Sequence, residues 1–254
     1  AVVIVLGMAI YGSMVTFWPW NKALTLNNYN FSEMSTYGWT PFFNSLTLGA
    51  WTAIIGTVLI FLGAYCIEKG RAFGPVRQAM QMLSVVPMAV PGMVLGLGYI
   101  FYFNDLSNPL NFLYGTMAFL VINTVVHYYT VGHMTALTAL KQLPEEIEAT
   151  AASVNLPQYK LFFKVTVPVC LPAILDIATY LFINALTTTS AVVFLYSTDT
   201  IPASVSVLNM DDAGQTGAAA AMAVMIMISA ASAKLIHMLI NKLFEKRTQA
   251  WRKR

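Results

Sequence analysis

Long apolar runs separated by short charged connectors organise this sequence. Six stretches are free or almost free of Asp, Glu, Lys and Arg: 1–21, 34–67, 78–104, 106–140, 165–198 (interrupted only by Asp176) and 213–233. About 20 apolar helical residues cross a hydrocarbon core of roughly 30 Å, so each stretch has room for one crossing. The pattern predicts spans over 1–19, 43–67, 79–103, 111–137, 165–196 and 213–240. A membrane barrel would show alternating segments of about 10 residues, which are absent. The expected fold class is therefore all-α and integral to a membrane, with six transmembrane helices.

Composition supports this reading. The 254 residues are 57% hydrophobic and 10% charged, with a mean hydropathy of +0.65. A soluble domain carries roughly 25% charged residues, so this chain has too few to cover a water-facing surface. The same numbers exclude disorder, a collagen-like rod and a nucleic-acid-binding surface.

Charge then orients the spans. Alternate connectors place Lys69, Arg71, Arg77, Lys141, Lys160, Lys164, Lys234, Lys242, Lys246, Arg247, Arg252, Lys253 and Arg254 on one side, against Lys22 on the other. Cytoplasmic loops hold the excess of Lys and Arg, so the basic side is cytoplasmic and both chain ends lie there. The external side is acidic (Glu33, Asp105, Asp199, Asp211, Asp212), and Trp18, Trp20, Tyr29, Tyr37 and Trp39 read as interfacial anchors. The basic tail reads as a topology and lipid-headgroup device. Cys66 and Cys170 read as small buried thiols without a disulfide. Ala1 opens inside an apolar run with neither initiator Met nor signal-peptide features, the expectation for a segment of a longer polypeptide.

Helix breakers mark the third and fifth spans: Pro87, Pro91, Gly92, Gly96 and Gly98 in one, Pro168 and Pro172 in the other. Broken backbone at membrane depth is tolerated where protein or cavity water satisfies it. These breaks suit helices around a pathway, and simple close packing explains them as well. No repeat of 20–50 residues occurs within the chain.

The connector 141–164 is the longest on the basic side. Pro144 fits a helix start, and Glu145, Glu146 and Glu148 complement the positive end of the helix dipole. Ile147, Ala151 and Val154 fall on one apolar face. Asn155 suits a left-handed residue, and Pro157 a second helix start. An exposed short helix of small residues, held between two spans, suits docking into a groove on a cytoplasmic partner.

The stretch Glu148-Ala149-Thr150 … Pro157 … Val165-Thr166-Val167-Pro168 … Pro172-Ala173-Ile174 resembles the coupling loop of ABC-importer permeases with the MetI-like fold. That family's pattern is Glu-Ala-Ala, three residues, then Gly. Here Thr150 replaces the second Ala. Counting from Glu148 puts the glycine position at Val154, and counting back from Pro168 puts it at Asn155. The runs Leu83–Tyr99, Val165–Ile177 and Asn184–Tyr196 are similar to permeases for 2-aminoethylphosphonate, relatives of the ferric-iron and polyamine permeases. The resemblance implies one permease domain over 1–254, half of a longer fused permease, with 141–164 as its coupling loop. It also implies an importer in the bacterial inner membrane with three kinds of protein partner: ATPase subunits, a second permease module and a periplasmic substrate-binding protein. Glu145, Glu148, Ala149, Thr150, Val154 and Asn155 would carry coupling.

Nothing here points to catalysis. There is no G-x-x-x-x-G-K-[ST] phosphate loop, no G-x-S-x-G elbow, and His127, His133 and His237 lack metal-ligand spacing. No catalytic residue, metal or cofactor is expected, and ATP hydrolysis belongs to a separate subunit. Asp176 is an ionisable group inside an apolar run, which is costly and suggests either a structural pair or a pathway role. His127 is open to the same two readings. Pro91, Gly92, Asn184, Thr187, Thr188 and Ser190 complete the candidate pathway set, since hydroxyls and an amide can pass a polar cargo without trapping it. The expected cargo is 2-aminoethylphosphonate. The alternatives are ferric iron, a polyamine or another anion, or an ATP-independent channel or carrier using Asp176 and His127.

Overall fold

The computed structural model describes residues 2–70 and 74–248, apart from the side chains of Glu145, Glu148, Ala152 and 245–248. Of the basic residues above, Arg71, Arg252, Lys253 and Arg254 lie outside the described residues, as do the side chains of Lys246 and Arg247. The principal helices are α1 (Val2–Ser13), α2 (Thr40–Lys69), α3 (Gly74–Ala89), α4 (Gly92–Phe103), α5 (Met117–His127) and α6 (Tyr129–Lys141). They continue with α7 (Glu145–Ser153), α8 (Gln158–Val169), α9 (Leu171–Thr187), α10 (Ala203–Asp212) and α11 (Thr216–Thr248).

The helical class holds, and several boundaries need correction. Among the described residues, α2 and α11 are long and apolar enough to cross a membrane, and α3–α4 and α8–α9 qualify as bent pairs. α1 and α5 are shorter apolar helices. The expected span over 79–103 is broken at one of its predicted breakers, before Pro91, where proline withdraws a backbone donor and disfavours helix in the residue before it. The expected span over 111–137 is two helices meeting at Tyr128. The α8–α9 pair bends by 72° at Cys170, two residues after Pro168.

The expected first span, 1–19, runs six residues past the end of the observed helix. α1 stops at Ser13, and the chain enters a two-stranded hairpin, β1 (Val15–Phe17) with β2 (Asn21–Leu24), pairing Val15 with Leu24. Buried Asn28 explains the stop, because its amide donates to the carbonyls of Ser13 at 2.9 Å and Val15 at 2.8 Å. β-Branched Val15 and Thr16 then favour strand over helix. Gly217 packs close to this point: a Cβ there would lie 2.6 Å from Asn28 Nδ2. Only glycine allows α11 that close.

The chain divides into two compact units, 1–51 with 91–124 and 182–232, and 52–90 with 125–181 and 233–254. In the first, Phe31, Leu186, Ala203, Met210 and Met222 form a buried core, completed by the small residues Ala218, Ala219 and Ala221. Phe31 and Trp39 meet edge to face at 4.7 Å. In the second, Ile60, Phe61, Ala64, Ala136, Leu140, Phe162, Ile177 and Leu181 pack together. Cys170 is buried in this core, whereas Cys66 is exposed, and both are free thiols. The expectation of burial therefore fails for Cys66.

Candidate functional site

The second unit presents the 141–164 connector as a helix–turn–helix. Pro144 stands just before α7, and its carbonyl accepts the Ile147 N–H at 3.2 Å. Ala151 is buried and Ile147 half-buried, but Val154 is 65% exposed, so the expected apolar face stops one turn short of the helix end. Ala149, Thr150 and Ser153 join Val154 on the exposed surface. The side chains of Glu145 and Glu148 lie outside the described residues.

The end of α7 has a defined geometry. Asn155 has φ +56°, the one positive value among the described non-glycine residues, and the Leu156 N–H reaches back to the Ala151 carbonyl at 2.9 Å. That six-to-one bond closes a Schellman turn with Asn155 in the left-handed position usually held by glycine. Of the two counts above, the one placing the turn residue at Asn155 is the one observed.

A test of this turn follows. Asn155→Gly keeps the α7 amides as protected as before, whereas Asn155→Val costs about 1–2 kcal/mol, because a β-branched side chain crowds the left-handed conformation and lacks the short polar group that lets Asn adopt it. Hydrogen exchange across 145–153 should therefore accelerate roughly 5–30-fold in the valine variant alone. Equal rates in both variants would remove the turn argument.

After Pro157, α8 anchors the connector. Phe162 is buried, with its ring 4.6 Å from Tyr65 and 6.0 Å from Phe61, while Tyr159 and Phe163 are exposed. The connector therefore has a fixed root and an outer surface of small residues on α7, with Tyr159 and Phe163 exposed on α8.

The first unit holds a feature that sequence reasoning missed. α9 ends at Thr187, so Thr188, Thr189 and Ser190 lie beyond the helix and not deep within it. Three consecutive β-branched threonines weaken the helix there. From 188 to 202 the backbone is irregular, and side chains from other elements satisfy it. Asn123 Nδ2 donates to the Ala191 carbonyl at 2.7 Å, and Ser204 Oγ to the Thr188 carbonyl at 2.6 Å. Asn44 Nδ2 reaches the carbonyls of Asp199 at 2.8 Å and Ile201 at 3.1 Å. Ser197 Oγ donates to the Gly115 carbonyl at 2.9 Å, and Ser45 Oγ accepts the Ala203 N–H at 2.8 Å. Asn123 and Ser45 are buried. Non-helical backbone inside a membrane protein needs such partners. Isolated Asn and Ser residues within the apolar runs were the available signal.

The candidate pathway residues divide between the units. Pro91 is exposed and Gly92 buried at the start of α4. Asn184 is half-buried, Thr187 and Ser190 are exposed, and the Thr188 side chain is buried. These six belong to the first unit. His127 and Asp176 belong to the second. His127 is half-buried, its ring 4.6 Å from that of Tyr128. The half-exposed Asp176 carboxylate lies 3.1 Å from Nε2 of buried His237, which also contacts Asn241 Nδ2 at 2.9 Å. Asp176 thus has the structural partner that one of its two readings requires. Among the described residues no three of His, Cys, Asp and Glu cluster as a metal site.

Both the backbone N–H and the hydroxyl of Ser107 donate to Asp105 Oδ1 at 2.8 Å, which holds that carboxyl below its ordinary range. Lys22 lies 5.6 Å over the ring of Trp18.

Comparison with known proteins supplies the family. The chain is 30% identical over 218 residues to the ferric transport system permease protein FbpB of Actinobacillus pleuropneumoniae, covering 85% of this chain and 31% of that protein. It is 29% identical over 197 residues to the putative ferric transport system permease protein FbpB 1 of Haemophilus influenzae (strain ATCC 51907 / DSM 11121 / KW20 / Rd), covering 76% and 30%. It thus spans under a third of the length of these curated relatives. A bacterial alginate ABC transporter, solved in complex with alginate pentasaccharide-bound periplasmic protein, has a chain of the same fold. Its TM-score is 0.73 at 14% identity, over 92% of this chain and 85% of that one. The sequence pattern of the binding-protein-dependent transport system inner membrane component matches residues 60–248, and the chain belongs to that family.

Proposed function

We propose that this chain is a permease module of an ATP-driven importer in the bacterial inner membrane. In this reading it works with a second permease module, two ATPase subunits and a periplasmic binding protein. The exposed α7 helix, closed at Asn155 and rooted by Phe162, carries the reading. Such a helix transmits force when a partner moves it, because its end is fixed and its root is packed. Glu145, Glu148, Ala149, Thr150, Val154 and Asn155 form the coupling surface on this reading. Pro91, Gly92, His127, Asp176, Asn184, Thr187, Thr188 and Ser190 line or support the pathway.

For the cargo, the curated relatives named as ferric transport permeases support ferric iron better than 2-aminoethylphosphonate. The test is uptake of radiolabelled ferric citrate by cells carrying the whole transport system, with this segment intact or deleted. Segment-dependent, ATP-dependent uptake that unlabelled 2-aminoethylphosphonate leaves unchanged is the expected result. Uptake of labelled 2-aminoethylphosphonate instead would keep the importer and replace its cargo. Uptake of ferric iron that survives ATP depletion would overturn the importer reading in favour of a carrier.

A further inference from the structure

We propose that a polar cavity in the first unit receives a lysine or arginine side chain of the protein that delivers cargo. This rests on the importer reading above and adds the chemistry of one contact. The cavity, about 340 Å³, lies between residues 33–37 and the C-terminal end of α10, with Glu33, Tyr37, Ser206, Asn209 and Gln215 in its wall.

Three observations set the sign of its occupant. The wall offers the Glu33 carboxylate, the amides of Asn209 and Gln215 and the hydroxyls of Ser35, Thr36, Tyr37 and Ser206, and none of its described residues is basic. Such an acceptor-rich lining matches the donors of a guanidinium or ammonium group. Next, α10 closes on Gly214 (φ +78°), with Gly214 N–H on the Asp211 carbonyl at 2.9 Å and Gln215 N–H on the Met210 carbonyl at 2.8 Å. That Schellman turn leaves the negative end of the helix dipole, with exposed Asp211 and Asp212, beside the cavity. Finally, Lys22, the single base assigned to this side, lies over Trp18. An incoming cation therefore meets acceptors and carboxylates, and an anionic group would be repelled.

The experiment uses the complete transport complex in lipid nanodiscs with its own binding protein, reading ATPase stimulation against binding-protein concentration. Glu33→Lys should raise the half-saturating concentration about tenfold and flatten its dependence on salt. Asn209→Lys, in the opposite wall, should do the same, which guards against a local fault in either variant. Rescue of Glu33→Lys by a Lys→Glu or Arg→Glu change on the binding protein would identify the occupant. Unchanged half-saturation in both lysine variants, with the wild-type complex stimulated normally, would overturn the cavity proposal and leave the importer intact. A wild-type complex that its binding protein never stimulates would overturn both.

Discussion

Replacing Ala149 with Arg abolishes uptake by the transport complex while the permease remains in the membrane at its normal level. Ala149 lies on the exposed surface of α7 with Thr150, Ser153 and Val154, so the variant chain has no buried clash of its own. The damage falls on the partner. A helix of small residues enters a groove closely, and an arginine there adds a long side chain and a charge that loses its water on docking. An unpaired charge forced into an interface costs several kcal/mol. Every 1.4 kcal/mol is tenfold in affinity, so coupling falls by at least about a hundredfold. Ala149→Ser, which adds little volume and no charge, keeps uptake close to normal. The measurement pairs initial uptake rate with the amount of permease in washed membranes. Normal uptake by the arginine variant would remove the coupling role of α7, and loss of the protein from the membrane would move the fault to folding.

Local chemistry was legible in the sequence where one residue decides the structure. The charge-free run 43–67 lies inside α2, and Asn155 adopts the left-handed conformation its side chain tolerates. Boundaries failed where a distant side chain decides them. Nothing near residue 13 announces that Asn28 takes the Ser13 carbonyl, so hydropathy alone carried the first span on to residue 19. The helix α10 was missed because its ten residues lie between Pro202 and Gly214 without a long apolar run. The partner of Asp176 was equally hidden, since His237 is 61 residues away and no spacing rule joins them. Hydropathy reports that a stretch is buried, and it is silent on whether lipid or protein buries it. The irregular segment 188–202 reads like the end of a span for this reason, and only the mesh of Asn44, Ser45, Asn123 and Ser204 distinguishes it.

Asn123 gives the second large effect. Its amide nitrogen is the side-chain donor that meets the Ala191 carbonyl, at 2.7 Å, and both residues are fully buried. Asn123→Leu removes the donor and offers the carbonyl only hydrocarbon. Side-chain hydrogen bonds within membranes average about 0.6 kcal/mol, because a released group usually finds another partner. Here that relief is restricted: the Ala191 carbonyl lies in non-helical backbone, away from water. The cost should approach the roughly 1–3 kcal/mol of an unsatisfied buried acceptor, a large share of a stability of about 5–15 kcal/mol. Thermal unfolding of the detergent-solubilised complex should show the loss. Uptake should fall with it, since the segment that follows α9 loses its fixed position. Asn123→Asp tests the same bond in another way, replacing the donor by an acceptor that repels the carbonyl, and should be at least as damaging. A leucine variant as stable and as active as the wild type would show that 188–202 is held without Asn123, and the mesh would then rest on Asn44, Ser45 and Ser204.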